Sequence, residues 1–420
     1  MPTRKLLQLN TVCNTSVGHL MESIQRAAKD AGYETITLYG RRKGYPDLPC
    51  IRIGNGASFW AHVAWTTVTD RHGLASVAVT KRLIKEIRCQ NPDIIHLHNL
   101  HGYYLNYPML FDYLKKEYKG RIFWTFHDCW PFTGHCAFYS MAGCDRWKTG
   151  CHDCPNKKEY PVSLLMDSSR YNYQKKKACF TGLKNLSVIV PSQWMKEQVE
   201  QSFLADYPVT VVPNGIDCSI YHHVNSPLPE GYGIPKGIKL ILGVATYWTA
   251  RKGLDDFLEL SKILPDDYRI VLVGVSALQA KRLPKNVIGI PRTESRQELV
   301  QLYSASLVFM NPSREESFSM VTVEAMACGL PVIALDTTAV KELIEPDVGI
   351  VLHQPNAEDY KKAIQQLEVN LSNGQMTGDS IARYATRYSV KAMTDQILSL
   401  YEESLSKQTP KKKTGKTRVL

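Results

Sequence analysis

The sequence has no long hydrophobic stretch. Hydrophobic side chains make up 44% of its 420 residues, but no run approaches the ~20 apolar residues that a transmembrane helix needs. The apolar part of the N-terminal segment MPTRKLLQLN is also too short for a signal peptide. We therefore expect a cytoplasmic protein whose 11 cysteines are thiols or metal ligands rather than disulfides.

The sequence also lacks a nucleic-acid-binding motif and the G-x-G-x-x-G fingerprint of dinucleotide-binding folds. The turn after the first predicted strand contains one glycine, Gly18, for which a structural role and a ligand-binding role are equally open. The formal net charge is +11, and five of the positive charges lie near the C-terminus, at Lys411, Lys412, Lys413, Lys416 and Arg418. We expect no nucleic-acid partner, whereas an anionic substrate or an anionic membrane would each suit this basic balance.

Strands and helices alternate twice along the chain. The predicted strands are 6–10, 34–39, 93–98, 121–126, 186–191 and 209–213 in the first series, and 239–246, 268–275, 287–290, 307–311, 332–335 and 349–352 in the second. Helical patterns lie between strands, whereas residues 41–75 are expected to be irregular. The alternation predicts an α/β fold in which two doubly wound sheets leave one deep cleft between them.

The stretch from Pro312 to Ile333 is the most informative part of the sequence. A polar turn leads into a predicted helix, Ser317–Cys328, which is apolar from Met320 onward except at two positions. One of these is Glu324, and a lone carboxylate on a buried helix needs a hydrogen-bond donor. That donor would be either a ligand hydroxyl or a basic side chain of the core. The backbone N–H groups that open the helix suit an anion such as a phosphate.

Two basic residues, Arg251 and Lys252, lie where the first strand of the second series gives way to a helix. Cations at a helix start oppose the helix dipole, so their placement favours a bound anion. A solvated helix start is the alternative.

Histidines follow two strands of the first series. His96 and His98 alternate on one predicted strand and so point to the same side, and His101 follows them closely. They are expected to line a polar cleft at the carboxyl end of the strand, with a metal site as the alternative. His127 lies at the tip of the next strand, in the segment TFHDCWPFTGHC.

Four cysteines, Cys136, Cys144, Cys151 and Cys154, lie within nineteen residues in the pattern C-x7-C-x6-C-x2-C. This pattern fits a structural zinc site with four thiolate ligands. Such a site would hold together a long loop that has no secondary structure of its own. An iron–sulfur cluster and free buried thiols remain the alternatives.

Glu316, seven further residues and Glu324, followed by AMACGLPVI, resemble the E-x7-E signature of retaining, GT-B-fold glycosyltransferases of family 4. The string VPNGIDCSIYHH resembles the inter-domain hinge of that family. HDCWPFTGHC and the cysteine loop are similar to a subgroup, the bacterial exopolysaccharide (colanic-acid-type) glycosyltransferases. Two glycines that are usual in the family are replaced by Ser317 and Ser319, and a usual arginine is replaced by Thr246.

The resemblance covers nearly the whole chain and implies two Rossmann-like domains that face a central cleft. Residues 1–216 would form the acceptor-side domain, with a cysteine-rich insertion at about 129–160. Residues 217–236 would be the hinge, and residues 237–378 the nucleotide-sugar domain. A helix over 379–405 would cross back to the first domain, and residues 406–420 would be a disordered basic tail.

The resemblance also implies roles for individual residues. Glu316 would bind donor-sugar hydroxyls, Glu324 the ribose hydroxyls, and Lys252 the departing diphosphate, while His127 would contact the donor sugar across the cleft. The implied catalytic residues are His127, Glu316 and Lys252. The implied donor-binding residues are Gly18, Arg251, Lys252, Glu316, Ser317, Phe318, Ser319 and Glu324.

By this resemblance the expected reaction transfers a sugar from a UDP- or GDP-sugar to a saccharide acceptor with retention of configuration. The acceptor would be linked to a lipid, and the reaction would belong to surface polysaccharide biosynthesis. No catalytic metal is expected, because cationic side chains would stabilise the diphosphate. The protein would act in the cytoplasm, with attachment of the basic tail to the inner face of the membrane. The alternatives are a nucleotide-sugar epimerase of the same architecture and a non-catalytic sugar-binding module.

Overall fold

The structure, a computed structural model, describes residues 3–228, 231–235 and 237–406. The strands within these ranges are β1 (Lys5–Asn10), β2 (Glu34–Tyr39), β3 (Cys50–Arg52), β4 (Ile94–Leu97), β5 (Arg121–Thr125), β6 (Leu186–Val190), β7 (Val209–Val211), β8 (Lys239–Val244), β9 (Tyr268–Val273), β10 (Val287–Ile290), β11 (Val308–Asn311), β12 (Val332–Leu335) and β13 (Gly349–Leu352). The helices are α1 (Ser16–Asp30), α2 (Gly56–Thr69), α3 (Val77–Gln90), α4 (Tyr107–Lys116), α5 (Ser169–Phe180), α6 (Gln193–Glu200), α7 (Leu254–Ser261), α8 (Ala277–Ala280), α9 (Arg296–Ala305), α10 (Met320–Ala327), α11 (Ala357–Ser372), α12 (Gly378–Ala385) and α13 (Val390–Ser406).

The first sheet has the strand order β3-β2-β1-β4-β5-β6-β7, with parallel pairing throughout. Its central strands are buried on both faces, as parallel strands covered by helices require. Leu6 of β1 packs with residues of α1 and α13, whereas its neighbour Leu7 packs with residues of α3 and α4 on the other face.

The second sheet has the order β10-β9-β8-β11-β12-β13 and is also parallel. The direction in which strands are added reverses between β1 and β4 in the first sheet and between β8 and β11 in the second. In open α/β sheets, ligands bind beyond the carboxyl ends of the strands at such reversals. The prediction of two doubly wound sheets is confirmed.

The last part of the chain returns to the first sheet. The prediction of one helix over 379–405 is wrong, because α12 and α13 are separated by a 3₁₀ turn, Thr386–Tyr388. Helix α12 packs against α10 of the second domain, whereas α13 packs on α1 of the first domain. The chain therefore changes direction between these two helices. The backbone of Ile216 holds this turn: its N–H donates to the Tyr388 carbonyl (2.8 Å) and its carbonyl accepts from the Val390 N–H (2.8 Å).

Residues 41–75, predicted to be irregular, contain β3 and α2. The prediction failed because α2 turns its polar residues His62 and Thr66 inward and exposes Trp60 and Trp65, the reverse of an ordinary surface helix.

The cysteine-rich segment was predicted to lack regular structure, and between residues 129 and 160 it contains only two 3₁₀ turns, at Trp130–Phe132 and Arg146–Lys148. The described residues of the predicted hinge after 217 contain no helix or strand. Ser406 is the last residue of α13, and the rest of the predicted tail lies outside the described residues. Within the described ranges, no helix has both the length and the hydrophobicity of a transmembrane span.

Candidate active site

The predicted site residues follow the carboxyl ends of three strands. Arg251 and Lys252 lie in the loop between β8 and α7, and Glu316 lies in the turn between β11 and α10. His127 lies two residues after β5 of the first sheet. The two sheets therefore present these residues to the same gap.

Lys252 and Glu316 form an ion pair. Gly253, with φ of 73°, brings the Lys252 loop against the turn after β11, and a Cβ at this position would lie 2.5 Å from the Pro312 carbonyl oxygen. The Lys252 and Glu316 side chains are 21% and 13% exposed, so solvent screens the pair only partly. The backbone N–H of Glu316 donates to the Thr338 hydroxyl at 2.9 Å, which fixes the turn.

Helix α10 begins at Met320, three residues later than predicted. Ser319 stands at its N-cap, and its hydroxyl accepts a hydrogen bond from the Asn311 amide at 3.0 Å. The Ser317 hydroxyl donates to the His127 carbonyl at 2.6 Å, so this serine bridges the two sheets. The Phe318 ring is buried against Tyr388 and is directed into the core.

Glu324 is half-buried, and its donors are tyrosine hydroxyls rather than a basic side chain of the core. Tyr303 donates to its Oε2 atom at 3.2 Å, and Tyr221 also hydrogen-bonds to it. Burial raises the pKa of Glu324 to about 7, although these two hydroxyls and the charge of Arg296 act in the opposite direction.

A cavity of about 410 Å³ exposes Glu324 between the two sheets. Thr15, Ser16 and His19 from the start of α1 also line it, as does Arg296, whose guanidinium lies 2.8 Å from the His19 ring. The cavity therefore combines a carboxylate with the N-terminus of a 15-residue helix, which carries partial positive charge.

Gly18 lies in the first turn of α1, where Thr15 caps the helix. A Cβ at Gly18 would lie 2.1 Å from the Cys13 carbonyl oxygen, so packing within the first domain requires glycine here. The residues that line the cavity are its neighbours rather than Gly18 itself.

The histidines of the first sheet are hydrogen-bonded to protein groups. His96 is buried between the Tyr401 hydroxyl (2.6 Å) and the Thr125 hydroxyl (2.7 Å), which gives it a structural role. His98 Nδ1 lies 3.1 Å from His127 Nε2, and the two rings are stacked. Burial lowers the pKa of His127 to about 4, so this ring is neutral at physiological pH.

A second cavity, of about 480 Å³, is lined by Arg251 and Glu315, the sequence neighbours of Lys252 and Glu316. In its wall, the Tyr160 hydroxyl lies 2.9 Å from His101 Nδ1, and His101 Nε2 lies 2.8 Å from Asp128. Burial raises the pKa of Asp128, but His101 and the Trp130 N–H outweigh it, so the pKa remains below its usual value. The carboxylate of Asp128 accepts the hydrogen of His101 Nε2. In the tautomer that carries its hydrogen on Nε2, Nδ1 accepts from the Tyr160 hydroxyl, and the Tyr160 oxygen is left free to accept from a ligand.

The cysteine-rich segment closes this second cavity against the turn after β11. The Met141 N–H donates to the Glu315 carboxylate at 2.6 Å. The Arg251 guanidinium lies 4.6 Å from the centre of the Phe138 ring and donates to the Glu315 carbonyl at 2.9 Å. Arg251 is thus directed to the second cavity, and Thr246 at the place of the family arginine is exposed and uncharged.

The four cysteines of the insertion are neighbours, and none of the chain's 11 cysteines, all of which are described, forms a disulfide. A hydrogen bond from Cys136 lowers the pKa of the Cys154 thiol to about 7, and burial raises the pKa of Cys151 to about 12. Within the described residues, however, no three or more Cys, His, Asp or Glu side chains are arranged so that they could hold a metal ion. The zinc site therefore remains a prediction.

The largest of these cavities, about 640 Å³, lies elsewhere, beside Arg121 and Leu186 at the amino ends of β5 and β6. That edge of a parallel sheet is opposite to the one where ligands bind, so this cavity is not a candidate site.

Sequence reasoning identified Glu316, Glu324, Lys252 and His127, which the fold brings to one gap. It missed the tyrosines at Glu324 and the chain from Tyr160 through His101 to Asp128, because residues distant in sequence form them. The local signals were His101, which was expected to line a polar cleft, and the position of Asp128 directly after His127.

Two family models match the chain in succession. The model described as Glycosyltransferase Family 4 matches residues 17–220, and the model described as Glycosyl transferases group 1 matches residues 227–378.

Curated relatives are similar over much of the chain. The putative colanic acid biosynthesis glycosyl transferase WcaC of Escherichia coli K12 is 25% identical over 328 residues, which cover 75% of this chain and 77% of the relative. The alpha-galactosylglucosyldiacylglycerol synthase of Streptococcus pneumoniae is 25% identical over 214 residues, which cover 46% of this chain and 55% of the relative.

Solved structures share the fold. Sucrose-phosphate synthase of Thermosynechococcus elongatus matches with a TM-score of 0.68 at 15% identity, over 96% of this chain and 100% of that chain. Alr3699/HepE of Anabaena, in complex with UDP and glucose, matches with a TM-score of 0.63 at 16% identity, over 95% of this chain and 99% of that chain.

Proposed function

The chain belongs to the GT-B-fold glycosyltransferases of family 4, and from this premise we propose that it transfers a sugar from a nucleotide diphospho-sugar to a saccharide acceptor with retention of configuration. The observation that carries the proposal is the pairing of Lys252 with Glu316 at the carboxyl edge of the second sheet, where Ser317 contacts the first sheet. Each of these side chains has the charge that one part of such a donor requires. A diphosphate needs a cation, and sugar hydroxyls need a carboxylate acceptor.

The donor would occupy the gap between the sheets. Glu324 would accept the ribose hydroxyls in the first cavity, and the start of α1 would face the phosphates. Lys252 would stabilise the negative charge that grows on the departing diphosphate, and Glu316 would hold the donor sugar. With a lysine in this position, the reaction needs no catalytic metal. The neutral His127 would contact the sugar from the first sheet.

The acceptor saccharide would occupy the second cavity. Its volume of about 480 Å³ lies within the usual range for ligand pockets, ~300–1,000 Å³. The aromatic rings of Phe138 and Tyr247 suit the apolar faces of a sugar, and Glu159 and the Tyr160 oxygen suit its hydroxyls. Tyr160 would act as a positioning residue, since its hydroxyl hydrogen is held by His101.

The product would belong to a polysaccharide or glycolipid. This context is supported by the two relatives named for colanic acid biosynthesis and for alpha-galactosylglucosyldiacylglycerol synthesis. We also propose a lipid-linked acceptor and attachment at the inner face of the membrane. The tail predicted to attach lies outside the described residues.

A panel of UDP- and GDP-sugars tests the proposal, with octyl glycosides as surrogate acceptors. We expect one donor to bind in calorimetry, and NMR of the transfer product to give the same anomeric configuration as the donor. Inversion of that configuration would refute retention. Conversion of the donor to an isomer without acceptor would identify an epimerase, and binding without any turnover would identify a sugar-binding module.

A further inference from the structure

Helix α2 exposes the residues that a surface helix normally buries. Its sequence GASFWAHVAWTTVT contains no charged side chain, and its buried residues are the polar His62 and Thr66. The exposed residues are Ala57, Trp60, Ala61, Ala64, Trp65 and Val68, which recur at the helical spacing of three and four residues. The outward face of α2 is therefore a continuous apolar stripe.

A second exposed apolar segment extends this stripe. Val162, Leu164, Leu165 and Met166 are all exposed, Leu165 by 69%. The segment is attached to the end of α2 by two backbone hydrogen bonds, from Leu164 to the Thr67 carbonyl (2.9 Å) and from Met166 to the Val68 carbonyl (3.2 Å). We call the outward stripe of α2 together with residues 162–166 the apolar face. Contiguous exposed apolar surface of this kind marks an interaction site.

Basic side chains surround the apolar face. The Arg41 guanidinium lies 4.7 Å from the centre of the Phe59 ring of α2, and Lys157 donates to the Leu165 carbonyl at 3.4 Å. Arg71, directly after α2, lies 4.8 Å from the centre of the Tyr171 ring.

Basic residues also outnumber acidic ones over residues 41–71, where Arg41, Arg42, Lys43, Arg52 and Arg71 accompany Asp47 and Asp70. Asp70 is fully buried and pairs with His135, and Asp47 pairs with Arg26. Arg41, Lys157 and Arg71 therefore place positive charge beside the apolar face.

We propose that the apolar face docks on an anionic lipid bilayer. Tryptophans are enriched at the boundary between acyl chains and headgroups, where Trp60 and Trp65 would lie. The uncharged stripe of α2 would be buried at that boundary, and the basic side chains beside it would attract anionic headgroups. Docking here does not need the C-terminal tail.

The apolar face adjoins the second cavity, because Tyr160 lines that cavity and Val162 begins the face. A saccharide anchored in the bilayer by a lipid would then have its sugar next to the cavity. This consequence rests on the proposed transfer to a saccharide acceptor, whereas the docking does not.

Vesicle flotation of the full chain tests the docking, with phosphatidylcholine vesicles and with vesicles containing 30% phosphatidylglycerol. The test variant combines Trp60→Gln, Trp65→Gln and Leu165→Gln. The matched control combines Leu278→Gln and Val369→Gln, whose side chains are exposed by 61% and 55% but lie with the second sheet. We expect the partition coefficient of the test variant into anionic vesicles to fall at least tenfold. The control variant and a truncation after Pro410 should keep most of the wild-type partition.

Several outcomes would overturn the docking. They are wild-type protein that stays off anionic vesicles, a test variant that floats like wild type, or binding that the truncation alone abolishes. A dimer in sedimentation that the test variant converts to a monomer, without vesicle binding, would make the face an interface between two copies. Melting temperature and nucleotide binding of the variants separate this result from misfolding. Donor turnover is measured independently, so absence of transfer does not count against docking.

Discussion

The ammonium group of Lys252 and the carboxylate of Glu316 are paired across the gap between the loop after β8 and the turn after β11. In the proposed donor complex the two groups separate, because Lys252 takes the diphosphate and Glu316 takes the sugar. A nucleoside diphosphate without the sugar would gain only the contact with Lys252, and its binding would still require the Lys252–Glu316 ion pair to break.

Glu316→Gln is therefore expected to affect the two kinds of ligand in opposite directions. A partly exposed ion pair is worth roughly 0.2–1 kcal/mol, so its loss should strengthen binding of UDP or GDP by about 1.5- to 5-fold. Turnover of the nucleotide-sugar should fall by about 10²-fold, because the sugar is no longer held. Calorimetry and initial rates measure the two effects. Lys252→Ala serves as the comparison, since it should weaken binding of both the nucleoside diphosphate and the nucleotide-sugar. If both variants bind both ligands more weakly, Glu316 does not compete with the diphosphate for Lys252.

Binding of the donor should depend on pH through Glu324. Its pKa is raised to about 7, so the carboxyl is partly protonated near neutrality and accepts ribose hydroxyls less well. Donor affinity should rise with pH, by up to about tenfold per unit, until the carboxyl is ionised above about 7. Burial raises the pKa values of the neighbouring Tyr221, Tyr303 and Cys328 above this range, and Arg296 contributes its positive charge. The pH profile of the donor dissociation constant measures the effect, which Glu324→Gln should flatten.

The same group should make the protein less stable at higher pH. The folded pKa of Glu324 is above its ordinary value of 4.5, so this destabilisation is absent below 4.5 and complete above about 7. It amounts to at most about 3 kcal/mol, since each pKa unit corresponds to about 1.4 kcal/mol. Glu324→Gln should raise the melting temperature at pH 8 but not at pH 4. A lower melting temperature at pH 8 would show that the two tyrosines need the carboxylate.

Tyr160→Phe is expected to weaken the acceptor and spare the donor. It removes one neutral hydrogen bond, about 1 kcal/mol, which corresponds to roughly a fivefold increase in acceptor KM. His101→Asn should act in the same direction, because Tyr160 then loses the group that fixes its hydroxyl hydrogen. Tyr171→Phe, an exposed tyrosine away from the second cavity, is the control. A rise in donor KM with an unchanged acceptor KM would contradict the proposal that the acceptor binds in the second cavity.

Purified protein is expected to contain about one zinc per chain, held by Cys136, Cys144, Cys151 and Cys154. Structural zinc contributes directly to folding, so removal of the metal should lower the melting temperature. Elemental analysis measures the metal, and Cys89→Ser, at an exposed cysteine on α3, is the matched control. If the purified protein carries no metal and an alkylating reagent modifies all four thiols, the predicted zinc site does not exist.

Most strands and the central motif could be predicted from the sequence. Buried parallel strands are short apolar runs, and β2, β10, β12 and β13 have the predicted bounds. Helix starts were less accurate. Met320 opens α10 although the helix was predicted from Ser317, because the three preceding residues contact Asn311, Tyr388 and the first sheet instead.

Helix α2 could not be predicted for a different reason. A sequence pattern predicts a helix when apolar residues are assumed to face the core. Trp60 and Trp65 face outward instead, and residues 41–75, which are rich in aromatic and basic side chains, were expected to be irregular.

The sequence by itself determined the two sheets and the spacing of Glu316 and Glu324, because strands and helix periods depend on neighbouring residues. The tertiary structure decided what those carboxylates contact. Lys252 reaches Glu316, and Tyr303 reaches Glu324, only after strands far apart in the chain pair within one sheet. It also decided which histidine has a partner in the second cavity, since His101, Asp128 and Tyr160 come from three separate loops. Contacts of this kind depend on long-range packing, which no local pattern of residues encodes.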